Sequence, residues 1–207
     1  MYSRWSYDTY VCICTIFYIN SALSTTDTEV WMNGAQYLFK LKWGIEAIRG
    51  DGNCLFRALS RILCGNEDNH SFVRRTPVTF ATYNKTWLQK FCHPVPVESH
   101  LNGMKVDRIW GTDLEIHAAA SLWQVPIYVC TQNPNDPKYF WILFKPIDYS
   151  KLVCPDECQQ LPCPPGVHHF ELFHAWRCHY DVITGPDGSL PAYPPPMPDI
   201  QDIYVTL

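Results

Sequence analysis

The chain has no excess of positive charge. It carries 16 Lys and Arg against 20 Asp and Glu, a formal charge of −4 with a pI of about 6.0, which excludes a nucleic-acid binder working through a basic face. The missing cations have an address. Cys178 to Leu207 contains no Lys or Arg but holds Asp181, Asp187, Asp199 and Asp202, so the remainder balances 16 basic against 16 acidic residues. An acidic end of this size reads as a solubilising segment. An apolar run of bilayer length is missing from Tyr10–Ile19, which is too short to span as a helix. That run follows Arg4 and precedes Ala22-Leu23-Ser24 in the manner of a signal peptide, but Asp8 and the single cation count against export, and its β-branched and aromatic content suits a buried strand. Neither a membrane nor a nucleic acid is expected as partner.

Cysteine is too sparse for a disulfide scaffold. Such scaffolds are short and cysteine-dense, whereas ten cysteines in 207 residues leave a chain long enough to fold unstapled. The thiols read as reduced and the protein as cytoplasmic. Internal repeats are absent. With 47% hydrophobic and 17% charged residues, and with 8 Trp, 12 Tyr and 10 Phe, the composition is that of one globular domain with a real core.

Residues 1–40 read as an extension of uncertain order. Trp43–Gly50 leads to a turn at Asp51-Gly52-Asn53. Leu55, Leu59 and Ile62, with Phe56 and Leu63, recur at three- and four-residue steps and predict a helix over Cys54–Leu63, stopped by Gly65-Asn66. A second helix is expected within Phe72–Phe91, starting near Pro77 and ending before His93. A third is capped by Thr112 or Asp113. Val125–Cys130, Tyr139–Phe144, His168–His174 and His179–Ile183 read as strands, with a Pro- and Cys-rich loop at Pro146–Val167. From Gly185 the sequence is a Pro-rich tail with no core of its own. Helices followed by strands make an α+β arrangement with a small sheet.

The chemistry concentrates in Asp51-Gly52-Asn53-Cys54-Leu55-Phe56-Arg57-Ala58-Leu59. A cysteine opening a helix meets unpaired N–H groups and the positive end of the dipole, both of which favour the reactive thiolate. The backbone N–H groups of Gly52, Asn53 and Cys54 are then available to an oxyanion forming beside the sulfur. Gly52 is expected to keep the approach open for the acyl group. A thiol nucleophile needs a base and the base an orienting group. His179 is the candidate base, and Asp181, two residues on, lies on the same strand face and fixes its tautomer. The plain alternatives are a buried structural cysteine and a solvent-facing strand-edge histidine.

The nine residues Asp51–Leu59 resemble the nucleophile motif of the OTU (ovarian-tumour) family of cysteine proteases, and His179-Tyr180-Asp181 resembles that family's histidine motif. Between them, Trp110-Gly111-Thr112-Asp113-Leu114-Glu115-Ile116, Ala118 and Pro126-Ile127-Tyr128-Val129 are similar to the family's middle helix and following strand. The resemblance spans about residues 48 to 184. It implies a papain-like α+β fold, a small central β-sheet packed between helices, with a catalytic domain over 41–185, the extension 1–40 before it and the acidic tail 186–207 after it. It also implies a cysteine-type deubiquitinase that hydrolyses the peptide or isopeptide bond at the C-terminus of ubiquitin or a ubiquitin-like modifier, with no cofactor. Cys54 corresponds to the nucleophile, His179 to the base and Asp181 to the orienting acid. Asp51 matches a further acid of the motif and is expected to hold the oxyanion loop, and Glu115 and Trp110 to fix the middle helix. The partners implied are the modifier and its conjugates.

Three other readings remain open. Cys154, Cys158 and Cys163 with His168 or His169 offer zinc-type ligands, but the spacing is looser than paired Cys-x-x-Cys, so no metal is expected. A weakly catalytic ubiquitin-binding module of the same fold, and a secreted, disulfide-linked interaction protein, are the alternatives to an enzyme.

Overall fold

The structure, a computed structural model, describes residues 25–89, 95–133, 136–175, 179–195 and 200–203. The run Tyr10–Ile19 and the end of the stretch before His93 lie outside them. In chain order the elements are α1 (Thr25–Lys40), β1 (Gly44–Glu46), α2 (Cys54–Cys64), α3 (His70–Tyr83), α4 (Lys85–Leu88), α5 (Val97–Met104), α6 (Asp113–Trp123), β2 (Ile127–Asn133), β3 (Asp136–Phe144), 3-10 turns at Tyr149–Lys151 and Asp156–Gln160, β4 (Phe170–Ala175), β5 (His179–Thr184) and β6 (Ile200–Ile203).

The strands form one mixed sheet ordered β1-β5-β4-β2-β3-β6. β2 pairs parallel with β4, Ile127 opposite Phe170, while β4 and β5 run antiparallel with Ala175 opposite His179. Strand β4 must cross from the β3 side of β2 to its other side. The Pro- and Cys-rich segment 145–169 makes that crossing, as a connection to a parallel partner demands. It is pinned to the helices as it goes: Asn84 bonds both backbone groups of Val153 (2.7 and 2.8 Å), and Trp123 Nε1 donates to Leu161 O at 2.8 Å.

Alternate residues of the inner strands enter two cores. Phe170, Leu172, Ile127 and Val129 pack with α2, α3 and α6, whereas Phe173, Ala175, Cys130 and Trp141 meet Leu38 of α1. With both faces covered, β4 and β5 are buried along almost their whole length, their polar residues Glu171 and Asp181 included. Helix α1 lies close to the sheet because Gly34 has no Cβ; one placed there would stand 2.2 Å from the Phe173 ring.

Three expectations change. The second helix starts at His70, not near Pro77, and Pro77 lies inside it. Val73, Phe80 and Ala81 are fully buried there, and this packing outweighs the lost hydrogen bond. Helix α1 occupies much of the stretch read as an extension of uncertain order, and α5 was invisible to periodicity. In the tail, Ile200–Ile203 pairs parallel with Trp141–Phe144, so this segment adds an edge strand to the sheet.

Candidate active site

Helix α2 opens at Cys54, and the turn before it is clamped from two sides. Asp51 receives Arg57 through Nη2 (2.6 Å) and Nε (3.1 Å to each oxygen), and its Oδ1 also accepts the Asn53 N–H at 3.1 Å. The hydrogen bond from Arg57 is the main reason the Asp51 carboxyl sits well below the usual carboxylate range, and burial opposes it only in part. Arg57 Nη1 continues to Glu67 O at 3.2 Å. On the other side the buried Asn53 Oδ1 accepts from Arg74 Nη2 (2.7 Å) and from the backbone N–H of Arg108 (3.1 Å).

Gly52 has φ +86°, and a Cβ there would stand 2.3 Å from the Arg108 carbonyl oxygen. The glycine is therefore required by the backbone conformation and by the neighbouring loop, a different reason from keeping the acyl approach clear. The Asn53 N–H is engaged by Asp51, so the three amides of Gly52, Asn53 and Cys54 do not offer the same freedom to an oxyanion.

Cys54 is 4% exposed, beside the imidazole of His179 at the first residue of β5, and the two side chains are hydrogen-bonded. His179 Nε2 meets Asp181 Oδ1 at 2.9 Å. Asp181 is 1% exposed, and the same oxygen accepts the Ile48 N–H at 2.8 Å, which ties the segment entering the nucleophile loop to β5. Burial is the largest single influence on His179 and pushes it down. The hydrogen bonds to Asp181 and Cys54, with the charge of Asp181, together outweigh burial and bring it up to about 10. His174, two strand positions before the β4–β5 connection, is pushed by burial down to about 4 and stays neutral, stacked at 4.5 Å on Tyr180.

The structure thus brings Cys54, His179 and Asp181 together, while Asp51 faces Arg57 and the loop. Glu115 is fully buried away from them: its Oε2 accepts from Thr112 N (2.8 Å) and Oγ1 (2.9 Å), closing a capping box at the start of α6, and Oε1 meets His100 Nε2 at 2.9 Å. Cys158 Sγ is directed at Thr76 O and Cys163 Sγ at Val167 O. Among the described residues no group of three or more His, Cys, Asp and Glu is placed to hold a metal, and the six described cysteines are free thiols. Periodicity did not single out Arg57, Arg74 or the Ile48 amide. The only signal was a pair of arginines on helical faces otherwise buried.

A model of the family described as OTU-like cysteine protease matches residues 49–157, more than half of the chain. The chain belongs to the OTU family of cysteine proteases. An OTU relative from Arabidopsis thaliana, OVARIAN TUMOR DOMAIN-containing deubiquitinating enzyme 9, is 35% identical over 84% of this chain and 45% of its own length. A second from the same plant, deubiquitinating enzyme 7, is 31% identical over 45% of this chain and 24% of its own length. The chain thus spans less than half of these curated OTU proteins. The solved OTU domain of OTUD1 superposes with a TM-score of 0.58 at 20% identity, over 78% of this chain and 96% of that one. An OTU deubiquitinase from Wolbachia pipientis wMel, solved bound to ubiquitin, gives 0.53 at 15% identity, over 72% and 99%. At these identities the two OTU structures speak to the fold alone, the papain-like α+β arrangement of a mixed sheet between helices.

Proposed function

We propose that this chain is a deubiquitinase that cleaves the peptide or isopeptide bond following the C-terminus of ubiquitin or a ubiquitin-like modifier, with Cys54 as nucleophile. The observation that carries it is the continuous line from the Cys54 thiol at the start of α2 through His179 to the buried Asp181 of β5. The names of the Arabidopsis relatives, deubiquitinating enzymes, supply the substrate class.

With Nε2 committed to Asp181, His179 has Nδ1 for the proton of Cys54. The sulfur, as thiolate, attacks the carbonyl carbon at the modifier's last residue, and the carbonyl oxygen becomes an oxyanion beside the first turn of α2. The N–H groups of Gly52 and Cys54 stabilise it there. The imidazolium returns its proton to the leaving amine as the carbon–nitrogen bond breaks, leaving a thioester on Cys54. Water, losing its proton to the same imidazole, then releases the free carboxylate and the thiol. Asp181 holds the ring in one orientation through the cycle and Asp51 holds the loop through Arg57.

Hydrolysis of ubiquitin carrying a fluorogenic C-terminal amide tests the proposal. The parent chain releases the fluorophore, and Cys54→Ala does not while keeping the parent's thermal unfolding. Release by Cys54→Ala within tenfold of the parent contradicts it.

A further inference from the structure

Arg74 is a buried cation with no carboxylate at ion-pair distance among the described residues. It is 3% exposed. Its Nη2 donates to Asn53 Oδ1 (2.7 Å), Ile109 O (2.7 Å) and Gly52 O (3.4 Å), its Nη1 to Met104 O (3.3 Å), and its plane lies 4.1 Å over the Phe56 ring. One side chain therefore joins three segments: the loop that precedes Cys54, the stretch 104–109 and the underside of α2. Desolvation pulls its proton affinity down, and Asp107, Glu115, Cys54 and Asp51 act on it only through space.

A buried, unneutralised guanidinium is costly to desolvate, and neutral carbonyls offset that only in part. A hydrophobic side chain of similar volume would hold Phe56 at lower cost. What a hydrophobic residue cannot do is fix Gly52 O and Asn53 Oδ1 and place positive charge beneath the amides that face the oxyanion. Lys, with one point charge, reaches fewer of the four acceptors than a planar fork.

We infer that Arg74 is a positioning residue for the hydrolysis proposed above: it locks the Gly52–Cys54 loop against the 104–109 segment and sets a positive field under the developing oxyanion. The inference rests on that function. It acts through Asn53 and Gly52 and does not touch the substrate.

Arg74→Met and Arg74→Lys, assayed with the fluorogenic ubiquitin amide, decide it. Arg74→Met lowers kcat by about 30-fold, short of the hundredfold or more for losing an oxyanion donor outright, with KM within about threefold of the parent; Arg74→Lys recovers part of the kcat. Should Arg74→Met lack a cooperative unfolding transition, Arg74→Lys carries the test: a folded variant with reduced kcat and parental KM supports the inference, and parental kcat overturns it. A folded Arg74→Met within about twofold of the parent's kcat also overturns it while leaving the deubiquitinase reading intact. A parent chain inert toward the substrate sinks that reading and this inference together.

Discussion

Removing Asp181 separates two jobs that one carboxylate performs. Its Oδ1 orients and charges His179 at 2.9 Å and also satisfies the Ile48 N–H at 2.8 Å. In Asp181→Ala the first loss is a charge-assisted hydrogen bond worth about 1.5–3 kcal/mol. At tenfold per 1.36 kcal/mol, kcat falls roughly 10- to 150-fold. KM stays within about threefold, since Asp181 is buried behind the imidazole and faces no substrate. The second loss leaves a buried amide unsatisfied, a cost of about 1–3 kcal/mol, which at about 2–4 °C per kcal/mol for a chain of this size lowers the unfolding midpoint by roughly 2–12 °C. Asp181→Asn keeps an acceptor for Ile48 but not the charge, so it restores the midpoint and leaves kcat low. Steady-state kinetics on ubiquitin with a fluorogenic amide and a thermal melt read the two effects. If Asp181→Ala turns over within threefold of the parent, the imidazole is oriented by something else.

Gly52→Ala forces φ +86° on a residue with a Cβ and drives that Cβ to 2.3 Å from the Arg108 carbonyl oxygen, so turnover falls at least tenfold; parental kinetics contradict this. Arg57→Met leaves the partly exposed Asp51 carboxylate without its main partner and destabilises the fold by about 1.5–3 kcal/mol, measured by denaturant unfolding; a change under about 0.5 kcal/mol contradicts it. Stability should also fall with rising pH. Burial raises Glu171, whose two oxygens have no hydrogen-bond partner among the described residues, to about 8, and His179 stands near 10. Both groups bind their proton more tightly folded than unfolded, so the stability they confer is complete below their ordinary values of 4.5 and 6.5 and drains away as pH climbs through the folded ones. Glu171→Gln therefore flattens the decline of the unfolding midpoint between about pH 5 and 9; an unchanged slope means that Glu171 is solvated.

Much of this site was legible in the residue order. Cys54 after a Gly-bearing turn, and His179 with Asp181 at strand spacing, carry their geometry locally: a helix start and a two-residue repeat need nothing else. The cap of the third helix was narrowed to Thr112 or Asp113, and Thr112 is the one that makes it, with Glu115 closing the box. What was hidden depends on tertiary contacts. The helix through Pro77 is held by burial of Val73 and Phe80, against the local signal of the proline. Helices α1 and α5 have short or weakly patterned apolar faces, and β6 needs β3 as its template. The distinction between Asp51 and Asp181 also required coordinates, because Arg57 and Ile48 choose between the two acids only once α2, β1 and β5 are packed.

The most direct measurement is the reaction of the parent chain with ubiquitin bearing a C-terminal electrophile, followed by peptide mapping. One adduct, on Cys54 and on none of the other nine cysteines, is the result the account predicts. An adduct on a different thiol, or no adduct under conditions where the protein is folded, contradicts it.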